Sequence, residues 1–355
     1  MNENKPDNLP IRMSGTFSML AILLVSVLFV FNLMFGSVSI PLEAVWQLLT
    51  GGDTDNVVWH NIMLQSRLPQ AMVALGAGMA LGIAGLLMQT LFRNPLAGPS
   101  VLGISSGASL GVAFVILVAG QLFGISFSQL GLFGDVSLLF AALAGSLGIL
   151  LIILLVSQKV GGTLSVLIMG VMIGYLSNSL VGIMKYYSLE EDVHTYVIWG
   201  LGSFSRLPLE RAQLFLMLII IPSLGCLFLS KWLNLLSLGD NYAKNLGLRI
   251  KRSRMIIIMM SGLLTALVTA FCGPIVFIGM AVPHLAKIIS RTSNHFVLIL
   301  NAGILGAATA LFCNLIARLP GIDTALPINS VTAFVGAPVV ISVIWNRRKE
   351  QLGDS

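Results

Sequence analysis

The stretch LPQAMVALGAGMALGIAGLLMQTLF, residues 68–92, contains no charged side chain and consists mostly of alanine, glycine and leucine. About 20 consecutive apolar residues are enough for a helix to cross the hydrocarbon core of a bilayer. The stretch also places Gly78 and Gly82 four positions apart, a spacing that lets helix backbones approach closely in lipid. We therefore predict a tightly packed membrane-spanning helix. Similar uncharged windows occupy residues 13–42, 94–134, 136–158, 160–184, 212–230, 255–286, 292–317 and 324–346.

The composition of the whole chain agrees with this prediction. Of its 355 residues, 56% are hydrophobic and only 10% are charged, whereas soluble domains carry about 25% charged residues. The numbers exclude a water-soluble globule and an intrinsically disordered chain. A membrane-spanning β-barrel would show alternating segments of about ten residues instead of long apolar windows. The fold class expected is an all-α, polytopic membrane bundle.

Two of the windows are too long for a single span and contain helix breakers. In 94–134, Asn94-Pro95 and Gly98-Pro99 predict a turn before the span, and residues 120–134 predict an outer loop. In 255–286, Gly273-Pro274 and Pro283 predict a full span followed by a short helix at about 280–290. Counted in this way, the chain has about ten transmembrane helices.

The distribution of charge predicts how the ten spans are oriented in the membrane. With ten spans, 15 of the 20 Lys and Arg residues lie on the side of the N-terminus, and nine of the 14 acidic residues lie on the other side. Cytoplasmic loops carry the excess of Lys and Arg, so both termini are predicted to be cytoplasmic. The expected organisation is a tail at 1–14, one transmembrane domain at 15–346 with an inner segment at about 233–250, and a tail at 347–355. The net charge of +6 is thereby explained, and nucleic acid is not expected as a partner.

Several kinds of chemistry are missing from the sequence. No acidic or basic residue lies at the centre of a predicted span, where ion-coupled transporters usually place one. The dipeptide Gly-Lys does not occur, so the chain lacks the phosphate-binding loop that contains it. Scattered histidines and cysteines predict no metal site. We expect no cofactor bound by this chain, and any ATP that drives it must be bound by another chain.

One short motif points to an enzyme instead. Residues 103–107, GISSG, match the G-x-S-x-G pattern of hydrolases, with Ser105 as nucleophile. That motif requires a strand before the serine, whereas this one lies in an apolar helix after a Gly-Pro break. No catalytic residue is predicted, although an integral membrane enzyme using Ser105 is kept as an alternative.

The longest inner loop contains a short amphipathic segment, LSLGDNYAKNLGL at residues 236–248. Asp240 is expected to cap a short helix, and Gly247 to end it. Leu238, Ala243 and Leu246 are expected to form a small apolar face. Two interpretations remain open: a helix that lies on lipid headgroups, and a docking helix for a cytoplasmic partner.

The pattern LGD-x-x-A-x-x-LG at 238–247 resembles the coupling segment of FecCD-type permeases, the membrane subunits of ABC importers for iron-siderophores, haem and cobalamin. Further similarity covers about residues 60–345. It includes RLP at 67–69, RNPLA at 93–97 with LGISSGA at 102–108, FIG at 277–279 with VPH at 282–284, and LP at 326–327 with GAP at 336–338.

This resemblance implies an assembly. Two permease subunits, expected to be identical, would form a passage across the bacterial plasma (inner) membrane. Two cytoplasmic ATP-binding subunits would hold ATP and Mg²⁺ and grip the coupling segments, while a substrate-binding protein docks outside. Carried over residue by residue, the resemblance assigns ATPase coupling to Leu238, Gly239, Asp240, Ala243, Leu246 and Gly247. It assigns binding-protein docking to Arg67 and Arg318, the inner gate to Gly162, Thr163, Leu164 and Ser165, and the helix break of the passage to Asn94, Pro95, Gly103, Ser105 and Gly107.

The sequence also departs from the family pattern. Gln70 stands where many members have a second outer arginine, and Gly98 and Asn329 replace a frequent acidic residue and a frequent glycine. These departures leave the cargo open among siderophore, haem and cobalamin. They also leave open whether the dimer is homomeric. An ion-coupled secondary transporter is the alternative function.

Overall fold

The computed structural model describes residues 11–36, 38–50, 52, 56–119, 131–159, 162–318 and 325–353. In these ranges the protein is helical and contains no strand. In chain order, the α-helices are α1 (Ile11–Met34), α2 (Leu42–Leu49), α3 (Val57–Ile62), α4 (Leu68–Phe92), α5 (Ile104–Ala113), α6 (Gly131–Lys159), α7 (Thr163–Tyr187), α8 (Glu190–Gly200), α9 (Leu209–Leu227), α10 (Ser230–Leu238), α11 (Asp240–Asn245), α12 (Ile250–Cys272), α13 (Ile278–Ser290), α14 (His295–Ala317) and α15 (Ile328–Gly353).

Three shorter turns complete the chain path. A π-helical turn, Met63–Arg67, joins α3 to α4, and a second, Phe114–Ala119, continues α5. A 3₁₀ turn, Pro99–Leu102, precedes α5. Within the described residues, six helices are long and apolar enough to cross a membrane, and four shorter apolar helices accompany them. The helical membrane bundle is confirmed, while the count of ten spans stays a prediction.

Helix α4, which contains the quoted stretch, forms the centre of the bundle. Of its most apolar window, 83% is buried. Its glycines let neighbouring backbones approach: a Cβ added at Gly78 would lie 2.1 Å from the carbonyl oxygen of Gly306, and one at Gly85 would lie 1.8 Å from that of Gly279. The helices α13 and α14 therefore pack directly on the α4 backbone, as the glycine spacing predicts.

The predicted interruption of 255–286 is confirmed. Helix α12 ends at Cys272, Gly273 has a φ of +79°, and α13 follows from Ile278. Helix α1 begins at Ile11 and α15 runs on to Gly353, so both helices extend past the predicted domain bounds of 15 and 346, and the division into tails and a transmembrane domain stays a prediction. The short helices α2, α3 and α8 were not predicted, because none of them forms a long apolar window.

Two amide side chains inside the bundle, those of Asn32 and Asn314, are paired with each other. Asn314 Nδ2 donates to Asn32 Oδ1 at 2.8 Å, and Asn32 Nδ2 donates to the carbonyl oxygen of Leu311 at 3.1 Å. A buried polar group in lipid has no water to replace a lost partner. These amides therefore fasten α1 to α14.

Candidate functional site

The predicted coupling segment consists of the two short helices α10 and α11, joined at Gly239. Gly239 has a φ of +121°, a conformation that side-chain-bearing residues rarely adopt. At the end of α11, the N–H of Gly247 donates to Lys244 O and the N–H of Leu248 donates to Ala243 O, both at 3.0 Å. With a φ of +86° at Gly247, this is a Schellman motif. The predicted helix stop at Gly247 is confirmed.

The prediction that Asp240 caps this helix is wrong. Gly239 occupies the capping position, and Asp240 is the first helical residue without a side-chain capping bond. Its carboxylate instead contacts two guanidinium groups: Oδ1 lies 3.4 Å from Arg93 Nη2, and Oδ2 contacts Arg254 Nη2. A carboxylate binds a guanidinium more strongly than a neutral backbone N–H. Asp240 thus ties the segment to the end of α4 and to α12.

The apolar face of the segment also differs from the prediction. Ala243 is fully buried, so it packs against the bundle and cannot meet a partner. Leu238, Tyr242 and Leu246 are exposed by 63%, 58% and 55%. We call these three residues the apolar patch. Exposed basic residues lie close to it along the chain, namely Lys231, Lys244, Arg249, Lys251 and Arg252.

A cavity of about 230 Å³ lies where the 3₁₀ turn and the start of α5 meet α7. Gly103 begins α5 with a φ of +74°, and a Cβ there would lie 2.8 Å from the carbonyl oxygen of Gly170. The lining contains hydroxyl and amide groups and no charged side chain. The polar lining residues are Ser100, Ser106, Tyr175 and Asn178.

Two of the residues assigned to the passage, Ser105 and Gly107, do not line this cavity. Ser105 is buried between α5 and α12, where its Oγ lies 3.3 Å from Thr269 Oγ1. That contact is to a hydroxyl and not to the base that a nucleophilic serine requires. Gly107 faces α6, because a Cβ there would lie 2.4 Å from the side chain of Ile149. Ser106, not Ser105, faces the cavity, and the passage role of Ser105 and Gly107 stays a prediction.

The turn at Asn94-Pro95 is held by hydrogen bonds. Asn94 Oδ1 accepts from the N–H of Leu96 at 2.9 Å, which closes an Asx turn. His284 Nε2 lies 2.9 Å from the carbonyl oxygen of Pro95 and donates to it. The turn is consequently fixed to α13. Neither Asn94 nor Pro95 lines the cavity, and their passage role stays a prediction.

At the opposite end of the bundle, Arg67 is almost fully buried, with 1% of its surface exposed. Its Nη1 donates to the carbonyl oxygens of Leu33 and Met34, both at 2.7 Å, and its Nη2 contacts that of Val38. In this structure the guanidinium of Arg67 is held by the backbone of the chain itself, and its docking role stays a prediction.

Arg318, at the end of α14, lies beside the same loop. Its Nη2 would be 3.0 Å from a Cβ added at Gly36. The residue is half-buried, and desolvation lowers its pKa from the usual value. A docking role for Arg318 stays a prediction.

The predicted inner gate lies at the start of α7. Gly162 precedes the helix with a φ of +93°, and Leu164 is 68% exposed. Thr163 and Ser165 are half-buried in the first turn, and residues 160–161 lie outside the described residues. The gating role of these four residues stays a prediction. Among the described residues, no group of three or more His, Cys, Asp or Glu side chains could hold a metal ion.

Comparison with known proteins identifies related chains along most of this sequence. The profile of the FecCD transport family matches residues 23–346. The hemin transport system permease protein HmuU of Yersinia pestis is 32% identical over 319 residues, which cover 90% of this chain and 92% of that protein. The vitamin B12 import system permease protein BtuC of Citrobacter koseri is 34% identical, with 89% and 93% covered. A solved metal-chelate type ABC transporter in an inward-facing conformation has a TM-score of 0.80 at 29% identity, with 94% and 99% covered.

Proposed function

The chain belongs to the FecCD transport family, and from this membership we propose that it is the permease subunit of an ATP-driven importer. The cargo is a bulky chelate or cofactor of the siderophore, haem or cobalamin class. It passes from a substrate-binding protein outside the bacterial plasma membrane to the cytoplasm. The relatives are named for hemin and vitamin B12 and the structural neighbour for metal chelates.

The observation that carries the proposal is the apolar patch with its basic surroundings. A contiguous exposed apolar surface rimmed by polar residues marks an interaction site. The patch is rigidly presented, since Asp240 is bound by Arg93 and Arg254 and Ala243 anchors the helix beneath it. The partner that fits is an ATP-binding subunit with an apolar groove and an acidic rim. ATP and Mg²⁺ are held by that subunit, and this chain supplies no nucleotide site of its own.

The cavity beside Gly103 supports the transport role. Its polar groups are hydroxyls and an amide, which offer few contacts able to distinguish one bulky cargo from another. Selection of the cargo is therefore assigned to the binding protein. A second, identical copy of the chain completes the passage, and exposed side chains of α7 and α15 such as Tyr175 and Phe334 supply surface for that contact.

The apolar patch gives a direct test. Leu238→Glu combined with Leu246→Glu is expected to lower co-purification of the ATP-binding subunit at least about tenfold, because two buried leucine contacts are worth more than the ~1.4 kcal/mol that tenfold represents. The matched control is Leu238→Met combined with Leu246→Met, which keeps apolar side chains of similar volume at the same two exposed positions. Pull-down of tagged permease from detergent-solubilised membranes, followed by quantitative immunoblotting, measures the effect.

Retention of the subunit by the double variant would show that the patch does not bind it. Transport assays distinguish the proposed ATP-driven importer from the alternative, an ion-coupled secondary transporter. Uptake that continues after ATP depletion and stops when the ion gradient is collapsed would establish a secondary transporter instead.

A further inference from the structure

The cytoplasmic end of α4 is hydrogen-bonded to three other helices within a few residues. Gln89 Nε2 donates to the carbonyl oxygen of Met280 in α13 at 3.0 Å. Thr90 Oγ1 lies 3.0 Å from His295 Nε2 in α14. Arg93 Nη2 donates to the carbonyl oxygen of Leu236 in α10 at 2.8 Å. No comparable set of bonds is needed merely to end a helix, since water or a C-cap glycine would satisfy its last carbonyls.

His295 extends this set toward the coupling segment. Its Nδ1 lies 2.7 Å from Asn234 Oδ1 in α10, and its backbone N–H donates to the same oxygen at 2.9 Å. Because an amide oxygen only accepts, Nδ1 carries the proton, and Nε2 accepts from the hydroxyl of Thr90. The coupling segment is thus joined to α4 twice, through Asn234 and through Leu236.

Arg93 occupies an unusual position in this arrangement. Its φ of +48° is in the left-handed region, which residues other than glycine rarely adopt. The conformation turns the chain out of α4 while the guanidinium reaches Leu236 and Asp240. A strained backbone that persists is held by its surroundings, and here those surroundings are the coupling segment.

From Arg93 the chain runs directly to the cavity. The turn at Pro95 is fixed to α13 by His284, and the 3₁₀ turn that lines the cavity begins at Pro99, six positions after Arg93. Pro99 also packs against Gly279, where an added Cβ would lie 2.7 Å from its ring. The connection between the coupling segment and the cavity is consequently short and closely packed at each step.

We propose that residues 89–95 form the junction that passes movement of the coupling segment to the cavity, with Arg93 as the positioning residue. The proposal rests on the proposed function only for the identity of the subunit that moves the segment. When that subunit displaces α10 and α11, Arg93 carries the displacement to the end of α4, and the turn at 94–98 carries it to Pro99–Leu102.

The test measures access to the cavity and needs no cargo. Ser106→Cys is introduced after Cys226, Cys272 and Cys313 are replaced by alanine, and the permease is purified with its ATP-binding subunit in nanodiscs. The rate of maleimide labelling at position 106 is compared with and without ATP plus vanadate. We expect the two rates to differ about fivefold or more, the lower end of typical coupling between linked sites. Arg93→Gln should reduce this difference to less than about twofold without loss of the bound ATP-binding subunit.

Three variants make the result specific. Arg291→Gln removes the same charge from an exposed arginine that ends α13 with a φ of +43°, outside the coupling segment, and should keep the full nucleotide response. Arg93→Lys keeps the charge and should restore part of it. Thr90→Val removes the hydroxyl that bonds His295 and so breaks the connection from α4 to Asn234. We expect it to weaken the nucleotide response. This variant also tests the proposal if Arg93→Gln does not accumulate.

The outcomes separate the two proposals. A full nucleotide response in Arg93→Gln or Thr90→Val, with the subunit still bound, overturns the junction and leaves the proposed function intact. A parent permease that retains no ATP-binding subunit overturns the proposed function itself.

Discussion

Replacement of Gly85 by alanine is expected to disrupt the packing of α4 on α13 and to remove most of the folded protein from the membrane. The added Cβ would lie 1.8 Å from the carbonyl oxygen of Gly279 and 2.7 Å from its carbonyl carbon. Both atoms belong to a helix backbone, so no rotamer change can relieve the overlap. Overpacking of a side chain costs about 1–3 kcal/mol and occasionally more, and we expect about 3 kcal/mol or more here.

Two other glycines provide matched controls for this substitution. Gly148 and Gly182 lie in long apolar helices, and an added Cβ at either position would meet nothing within 4 Å. Alanine there should leave stability unchanged or slightly raised, because alanine favours a helix over glycine. Thermal unfolding of the purified permease, followed by fluorescence-detected size exclusion, compares the three variants. Equal melting temperatures for Gly85→Ala and Gly148→Ala would contradict the close approach of α4 and α13.

The bundle itself could be predicted from local features of the sequence. A window such as 68–92 must be helical in lipid, since every backbone group has to be satisfied within the segment. Its glycine spacing also indicates that another backbone comes close. The partner of Gly85 could not be predicted, because Gly279 lies in a different helix and one sequence contains no record of which helices meet.

In the candidate site, too, features set by neighbouring residues could be predicted, and features set by distant residues could not. The helix stop at Gly247 depends on hydrogen bonds between neighbouring residues, so its chemistry could be predicted. The role of Asp240 depends on Arg93, 147 positions away, and a local capping rule therefore gave the wrong answer. For a helix as short as α11, the apolar pattern does not determine which side is buried, and Ala243 was placed on the wrong face.

Two adjacent serines near the cavity show that the sequence alone does not determine which side chain faces it. Ser105 and Ser106 are adjacent, and a helix turns by about 100° between them. Only the packing of α5 against α12 and α7 decides that Ser105 meets Thr269 while Ser106 faces the cavity. The motif at 102–108 contains both serines and cannot select between them.

Replacement of Arg67 by methionine distinguishes a structural role from docking. The substitution keeps an unbranched buried chain but leaves the carbonyl oxygens of Leu33 and Val38 without the guanidinium donor, while that of Met34 keeps only the N–H of Ile40. Each buried acceptor left unsatisfied costs about 1–3 kcal/mol. We therefore expect the free energy of unfolding to fall by about 3 kcal/mol or more, measured as a lower melting temperature in detergent.

Two further variants test this prediction: Arg67→Lys, which keeps the charge, and Arg211→Met, which serves as a control. A lysine ammonium keeps the charge but lacks the planar fork that reaches several carbonyls at once, so it should restore little of the lost stability. Arg211 is a half-buried arginine whose side chain makes no hydrogen bond to the part of the chain that the structure describes, and its replacement should change the melting temperature little. If Arg67 acted by pairing with a carboxylate of the binding protein, the opposite pattern would appear. Arg67→Met would then keep its melting temperature and lose binding-protein affinity, and Arg67→Lys would recover that affinity because charge alone suffices for steering.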